Sequence, residues 1–146
     1  GYFAGSFIPC ARCLITMQPM PSDREHQIRI NVETAYIEAQ SIPEKQHYVF
    51  SYTVTIRNKG MVAARLLGRH WIITDANGKV HEVMGEGVVG EKPFLRPGED
   101  FRYTSGTALE TPVGSMRGSY QMRSEEGEHF EAPIAPFTLA IPKSLH

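Results

Sequence analysis

The chain has 146 residues, 41% of them hydrophobic and 21% charged, which argues against a disordered chain and is enough for one domain with an ordinary core. With 15 basic and 16 acidic side chains the net charge is −1, so the basic surface of a nucleic-acid-binding protein is not expected. No apolar run approaches the roughly 20 residues that span a bilayer, and membrane insertion is not expected either.

Residues 1–26 differ in composition from the rest of the chain and are interpreted as a tail, either disordered or introduced by cloning. They hold both cysteines, Cys10 and Cys13, whose spacing could supply half of a zinc site. A second such pair is missing from the sequence, so no metal site is expected there. Residues 27–146 are taken as the domain, and their lack of cysteine suits a reducing, cytoplasmic environment.

Between residues 28 and 84, apolar and polar residues alternate with a period of two, which predicts strands with one buried face. The predicted strands begin with Ile28, Ile30 and Val32 and continue with Tyr48–Arg57, Arg65–Thr74 and Lys79–Met84. Trp71 lies on the third of them, where immunoglobulin-like domains keep a buried tryptophan. We therefore expect Trp71 in the core.

Asn77-Gly78 joins the third and fourth predicted strands and indicates a tight hairpin, because both residue types tolerate positive φ. A type I′ turn centred on this pair would place Ala76 opposite Lys79. It would also place Thr74 opposite His81. The two strands are therefore expected to be antiparallel neighbours in this register.

The fourth strand leads into Gly85-Glu86-Gly87-Val88-Val89-Gly90, which matches the G-x-G-x-x-G pattern of dinucleotide-binding loops. Such a loop needs a following helix, and no helical spacing follows here. Its backbone N–H groups could still bind an anion. The two adjacent valines offer an apolar contact, so we expect all six residues, Gly85, Glu86, Gly87, Val88, Val89 and Gly90, to line a partner or ligand site. The alternative is that the valines fold back into the core.

The remaining predicted strands lie around Phe101 and Tyr103, at Met116–Met122 and at His129–Ile141. Pro133 and Pro136 are expected to place the last strand at a sheet edge or to break it in two. The Leu95–Phe101 segment resembles the corner before strand F of fibronectin type III domains, with Phe101 where tyrosine is usual. Seven to eight short strands with almost no helix predict an all-β, antiparallel sandwich of the immunoglobulin or fibronectin type III kind.

No catalytic group can be assembled from the sequence. Ser105 is a candidate nucleophile, but no histidine and aspartate partners can be identified for it. The six histidines, at positions 26, 47, 70, 81, 129 and 146, show no metal-ligand spacing on a strand or helix. Neither a cofactor nor a metal is expected.

Several motifs together resemble the ApaG family over residues 27–146. They are Val32-x-x-x-Tyr36-Ile37, Tyr48-Val49-Phe50-x-Tyr52, Leu67-x-x-x-Trp71-x-Ile73-Thr74-Asp75, Gly85–Gly90, Tyr103-Thr104-Ser105-Gly106 and Ile141-Pro142-x-x-Leu145-His146. The resemblance implies a fibronectin type III-like sandwich in the bacterial cytoplasm, with a genetic association with cobalt and magnesium efflux. It also implies an interaction domain, since the family occurs in eukaryotic F-box proteins and in a polymerase-delta-interacting protein.

The family has no agreed catalytic residues, so the expected function is a non-enzymatic module that binds another protein. The alternative is a sensor that binds a small anion, pyrophosphate or nucleotide, or a metal through the glycine-rich loop. An unrecognised hydrolase is a third class. Exposed sheet edges would also permit a homodimer.

Overall fold

The structure, a computed structural model, describes residues 27–142. The predicted tail, with Cys10 and Cys13, therefore lies outside the described residues. So do His26 and the last four residues of the chain.

Residues 27–142 form two antiparallel sheets, as predicted from the period of two. The strands are β1 (Ile28–Tyr36), β2 (Tyr48–Asn58), β3 (Ala64–Asp75), β4 (Val80–Glu86), β5 (Phe94–Leu95), β6 (Asp100–Leu109), β7 (Val113–Ser124) and β8 (His129–Ala140). One sheet has the order β1-β2-β6, and the other has the order β4-β3-β7-β8 with β5 paired to β3. Among the described residues, helical structure is limited to two single 3-10 turns, Glu38–Gln40 and Pro43–Lys45. The fold is thus the predicted β-sandwich.

Strand β8 is an edge strand, in agreement with its two prolines. Among residues 27–142 it pairs with β7 alone, and the register shifts between Met116 and Gly118 of β7. Ala135 and Pro136 lie opposite this shift, so a bulge accommodates the missing N–H of Pro136. The strand continues past the bulge as one element to Ala140.

The β3–β4 hairpin forms, but the predicted register is wrong by one residue. Thr74 pairs with Val80 rather than with His81. The Asp75 N–H donates to the Lys79 carbonyl at 3.0 Å, and the Asp75 carboxylate accepts from the N–H groups of Asn77 and Lys79 at 2.8 and 2.9 Å. This side chain stabilises a three-residue connection with only Gly78 at positive φ.

Trp71 lies in the core, as predicted, and is 2% exposed. Its ring makes edge-to-face contacts with Tyr52, Phe137 and Tyr120, with centroids 5.3, 5.9 and 6.2 Å away. Aromatic pairs favour this geometry. The indole N–H has no hydrogen-bond partner among residues 27–142, so Trp71 is held there by packing.

A β-bulge in β3 changes which of its side chains face the core. The pairing with β7 shifts between Leu66 and Gly68. Leu66 is buried before the shift, whereas Trp71 and Ile73 are buried after it, so the inward positions change from even to odd numbers. Arg69 shares the parity of Trp71 and therefore lies on the inward face of its sheet.

The buried side chain of Asn58 stabilises the corner before β6 by hydrogen bonds. The Asn58 amide donates to the carbonyls of Val62 and Leu95 at 3.0 and 2.9 Å, and its carbonyl accepts from the Gly60 N–H at 2.8 Å. Phe101, which has no hydroxyl, is half-buried nearby on β6. Asn58 thus supplies the cross-links between loops that a corner tyrosine would otherwise provide.

Candidate functional site

Each glycine of the G-x-G-x-x-G pattern has a local structural reason. Gly85 pairs with Arg69 across the hairpin, and a Cβ atom at Gly85 would lie 2.8 Å from the guanidinium. Gly87 has a φ of 63°, and a Cβ atom there would collide with the Glu91 carbonyl oxygen. Gly90 has a φ of 81° in the turn that follows. Strand β5 rather than a helix comes next, so the pattern belongs to a tight turn.

This segment, Gly85–Gly90, is called the glycine loop below, and its turn is closed by backbone hydrogen bonds. Val88 and Glu91 exchange N–H to carbonyl bonds of 2.8 and 2.9 Å, and the Gly87 N–H donates to the Leu67 carbonyl at 2.8 Å. The N–H groups of Gly87 and Val88 are therefore already used within the protein. Those of Val89 and Gly90 have no acceptor in the described part of the chain.

The two valines of the glycine loop lie in opposite environments. Val88 is 0% exposed and belongs to the hydrophobic core, which is the alternative that the sequence left open for it. Val89 is 54% exposed and has a φ of 42°. Positive φ in a β-branched residue is a backbone outlier that costs on the order of 1–3 kcal/mol. Only Val89 of this pair is available to a partner.

A cleft of about 300 Å³ lies between the two sheets beside the glycine loop. We call it the Arg69 cleft. Its lining residues come from β2, β3, β6 and the loop, and they are Tyr52, Arg69, Glu86, Val88, Val89, Gly90, Tyr103 and Ser105. Four of the six predicted loop residues thus line this cleft, whereas Gly85 and Gly87 shape the backbone around it.

Among the described residues, Arg69 is the only cation lining this cleft. Its Nη1 group donates to the carbonyls of Glu86 and Gly87 at 3.0 and 2.9 Å, which fixes the guanidinium against the loop. The Nε and Nη2 groups have no acceptor within residues 27–142. Arg69 was missed by the sequence analysis, although its spacing of two from Trp71 on a predicted strand could have indicated an inward position.

Tyrosine and serine hydroxyls form the opposite wall. Tyr52 is 6% exposed and pairs with Ser105 across β2 and β6. Neither hydroxyl has a hydrogen-bond partner in the described structure. Their positions on facing strands result from the alternation of β2 and β6, because both residues occupy inward positions.

A second pair of hydroxyls lies deeper. The hydroxyls of Tyr103 and Tyr120 are 2.6 Å apart and buried. Burial raises the pKa of Tyr103 to about 12. Burial also raises the pKa of Tyr120, and the neighbouring Tyr103 raises it further. Both groups therefore stay protonated at neutral pH, and the wall of the cleft that Tyr103 contributes is uncharged.

Strand β4 and the glycine loop carry much of the exposed apolar surface. Of eight large apolar side chains that are exposed in the described structure, four lie within ten residues, namely Val80, Val83, Met84 and Val89. Strand β4 is also an edge strand, so its outer backbone groups are unpaired within its sheet. We call β4 and the glycine loop together the β4 edge.

A smaller cleft of about 190 Å³ lies at the other end of β3. His47 and His81 both line it, although their sequence spacing predicted no relation between them. Asp75, also in its lining, is engaged by the hairpin N–H groups, and Glu110 lies 3.3 Å from Lys79 Nζ. Within residues 27–142 no three His, Cys, Asp or Glu side chains group as metal ligands.

Ser105, the candidate nucleophile, lines the Arg69 cleft, and no histidine is among the residues lining that cleft. Nor is any helix within residues 27–142 long and apolar enough to cross a membrane.

Comparison with known proteins agrees with the motifs noted above. The ApaG domain matches residues 38–124, more than half of the chain. The ApaG proteins of Azoarcus sp. and Thiobacillus denitrificans are each 58% identical over 127 residues, which cover 87% of this chain and 100% of each relative. The crystal structure of the putative ApaA protein from Bordetella pertussis has a TM-score of 0.80 at 50% identity and covers 83% of this chain and 98% of that chain. The chain therefore belongs to the ApaG family.

Proposed function

We propose that this protein is a non-catalytic binding module whose partner is another protein and whose contact surface is the β4 edge. The observation that carries the proposal is Val89. A valine that is 54% exposed at positive φ gains little packing from its conformation and costs stability, and such outliers concentrate at binding sites. Strain of this kind is explained when the side chain serves a partner.

The surroundings of Val89 support a protein as the partner. Met84 is 74% exposed, and Val80 and Val83 are also exposed on the same strand. Flexible methionine side chains and apolar patches suit protein contacts. The unpaired backbone of an edge strand can also receive a strand from a partner by β-augmentation. A second copy of this chain is one partner that such an edge could accept.

In this proposal, the bound partner connects the protein to cobalt and magnesium efflux, with which the family is associated. We place the protein in the cytoplasm, where binding of the partner alters divalent-cation handling. The alternative of an anion or metal sensor would use the same glycine loop. Two of the loop N–H groups, those of Gly87 and Val88, are already bonded internally, which favours the protein-binding role.

The contact surface can be tested with variants of Val89 and Met84 on the β4 edge and with Val113, an exposed valine elsewhere, as the control. Val89→Ser and Met84→Ser should each reduce capture of partner from native bacterial lysate by about tenfold, the change that about 1.4 kcal/mol produces. Val113 is a control, because it is 40% exposed but lies at the start of β7. Val113→Ser should capture as the unaltered protein does.

The same variants should be expressed in a strain lacking its own ApaG protein and grown with cobalt. Loss of cobalt resistance with Val89→Ser, but not with Val113→Ser, is expected. Equal capture and equal growth for both variants would contradict the proposed surface.

A further inference from the structure

The Arg69 cleft contains four polar groups, from three side chains, whose hydrogen-bonding capacity is unused in the described structure. They are the Nε and Nη2 groups of Arg69 and the hydroxyls of Tyr52 and Ser105. Tyr52 is 6% exposed as a residue, but its hydroxyl keeps access to the cleft, because Trp71 Nε1 is the only fully buried side-chain polar atom without a partner in the described structure. Four unused donor groups around one space indicate that a ligand with acceptor atoms occupies it.

The guanidinium is positioned before any ligand arrives. Nη1 is fixed by the carbonyls of Glu86 and Gly87, and Gly85 leaves the space in which the guanidinium lies. A guanidinium held in this way loses little conformational entropy on binding. Its remaining N–H groups form the planar arrangement that binds an oxyanion with two hydrogen bonds.

Charge decides which oxyanion fits. The lining holds one cation, Arg69, and one carboxylate, Glu86, whose oxygen lies 3.3 Å from Lys92 Nζ. A pyrophosphate or nucleotide carries several negative charges, and a single guanidinium cannot balance them. A carboxylate carries one charge, and its two oxygens offer about four acceptor positions for the guanidinium and the two hydroxyls.

From this geometry we infer that the Arg69 cleft binds one carboxylate group, through the Arg69 guanidinium with the Tyr52 and Ser105 hydroxyls as further donors. Its volume, about 300 Å³, admits a small carboxylic acid or a single acidic side chain. The inference goes beyond the proposed protein contact at Val89. It holds whether the carboxylate belongs to a free acid or to a bound polypeptide.

The test is an NMR titration of the full chain, labelled with ¹⁵N, with sodium acetate against sodium chloride at constant ionic strength. We expect a saturable shift of the Arg69 Nε–H signal with acetate and none with chloride. Inorganic pyrophosphate is the third arm and should bind no more tightly than acetate. A pyrophosphate affinity more than tenfold above that of acetate would overturn the assignment to a carboxylate.

Arg65 provides the matched control. It also lies on β3 and donates to a backbone carbonyl, that of Lys92 at 2.7 Å, but it stacks on Phe94 outside the Arg69 cleft. Arg69→Gln should abolish the saturable acetate response, measured through the Tyr52 and Ser105 amide signals, whereas Arg65→Gln should preserve it. An acetate response that survives Arg69→Gln, or one equal at both arginines, would refute the inference.

Milder variants guard against misfolding of Arg69→Gln. Ser105→Ala and Tyr52→Phe each remove one hydroxyl and should weaken acetate binding by about two- to tenfold, as the loss of one hydrogen bond does. If neither variant changes the acetate affinity, the two hydroxyls do not bind the ligand, and the site as described would be overturned.

A short peptide with blocked ends and a single glutamate distinguishes the two sources of carboxylate. Binding tighter than acetate assigns the cleft to an acidic side chain of a polypeptide, and binding equal to or weaker than acetate assigns it to a free acid. No response to either probe would refute the cleft as a carboxylate site. The proposed contact at Val89 is tested by different variants, so its success or failure can be told apart.

Discussion

The core around Trp71 and the β4 edge follow opposite rules. In the core, buried aromatic rings pack edge to face, and the β3 bulge changes the strand alternation so that Trp71 still points inward. At the β4 edge, apolar side chains are exposed and Val89 has an unfavourable φ. In the adjoining cleft, the Nε and Nη2 groups of Arg69 and the hydroxyls of Tyr52 and Ser105 have no hydrogen-bond partner in the described structure.

This difference separates residues that stabilise the fold from residues that are available for binding. Stability accounts for the core residues one by one through burial and contact. It does not account for Val89 or for the free N–H groups of Arg69. Departures from local rules that bring no gain in packing are expected at functional sites, and here they lie side by side at one end of the sandwich.

The largest expected effect tests the core. Trp71→Ala should lower the free energy of unfolding by about 3–5 kcal/mol, because it removes apolar contacts and leaves a cavity. Trp71 is the single tryptophan of the chain, so unfolding should be followed by far-ultraviolet circular dichroism in urea. Trp71→Phe is the milder control and should cost less, since the indole N–H makes no hydrogen bond in the described structure. Near-normal stability of Trp71→Ala would place Trp71 outside the core.

The next effect concerns the tyrosines between the core and the cleft. The pKa of Tyr103 is raised from 10.0 to about 12 in the folded protein, so the folded state binds more protons than the unfolded state between these values. The stability from this group is complete below about pH 10 and falls by roughly 1.4 kcal/mol per pH unit as the pH rises toward 12. The pKa of Tyr120 is also raised, so this group adds to the loss of stability at high pH.

Urea titrations from pH 8 to 12 measure this loss. The double variant Tyr103→Phe, Tyr120→Phe removes both hydroxyls together, so neither is left without its partner. The stability of the double variant should depend less on pH above 10 than that of the unaltered protein. From pH 8 to 9 the stability of both proteins should change with pH to the same extent. Parallel curves over the whole range would show that the hydroxyl pair does not titrate with folding.

The adjacent residues Val88 and Val89 allow a direct comparison of a core position with an exposed position. Val88→Ser should cost about 2 kcal/mol, because it places a hydroxyl in an apolar site and leaves a void. Val89→Ser should change stability by less than about 0.5 kcal/mol. Chemical denaturation of both variants measures the difference. Equal costs would show that the two valines share one environment.

How much of this could be predicted depends on how local each determinant is. The strands, the buried Trp71 and the edge position of β8 follow from alternation and from proline, which act within a few residues. The hairpin register does not, because the Asp75 carboxylate bonded to Asn77 and Lys79 outweighs the turn preference of Asn77-Gly78. Asp75 is a side-chain cap that the dipeptide pattern does not include.

The candidate site was predicted only in part, for a related reason. The glycine loop could be read from its own residues, but the positions of Val88 and Val89 depend on a turn whose central residues both have positive φ. Valine is the last residue type that turn preferences would place there. The inward position of Arg69 follows from its spacing of two from Trp71, but its neighbours Tyr52 and Ser105 come from the other sheet. Contacts between sheets are not encoded in any single segment.

The smallest expected effect is also the one that joins stability to binding. Val89→Gly should stabilise the protein by about 0.5–1 kcal/mol, because glycine adopts a φ of 42° freely, and this gain exceeds the entropy that glycine adds to the unfolded chain. The same change removes the exposed side chain and should therefore weaken partner capture. Thermal melts and capture measured on one preparation decide the matter, with Val113→Ser as the binding control. If Val89→Gly gains stability and loses capture, the strain at this residue is maintained for binding. If it gains stability and captures normally, the strain serves no partner and the β4 edge loses its main support as the contact surface.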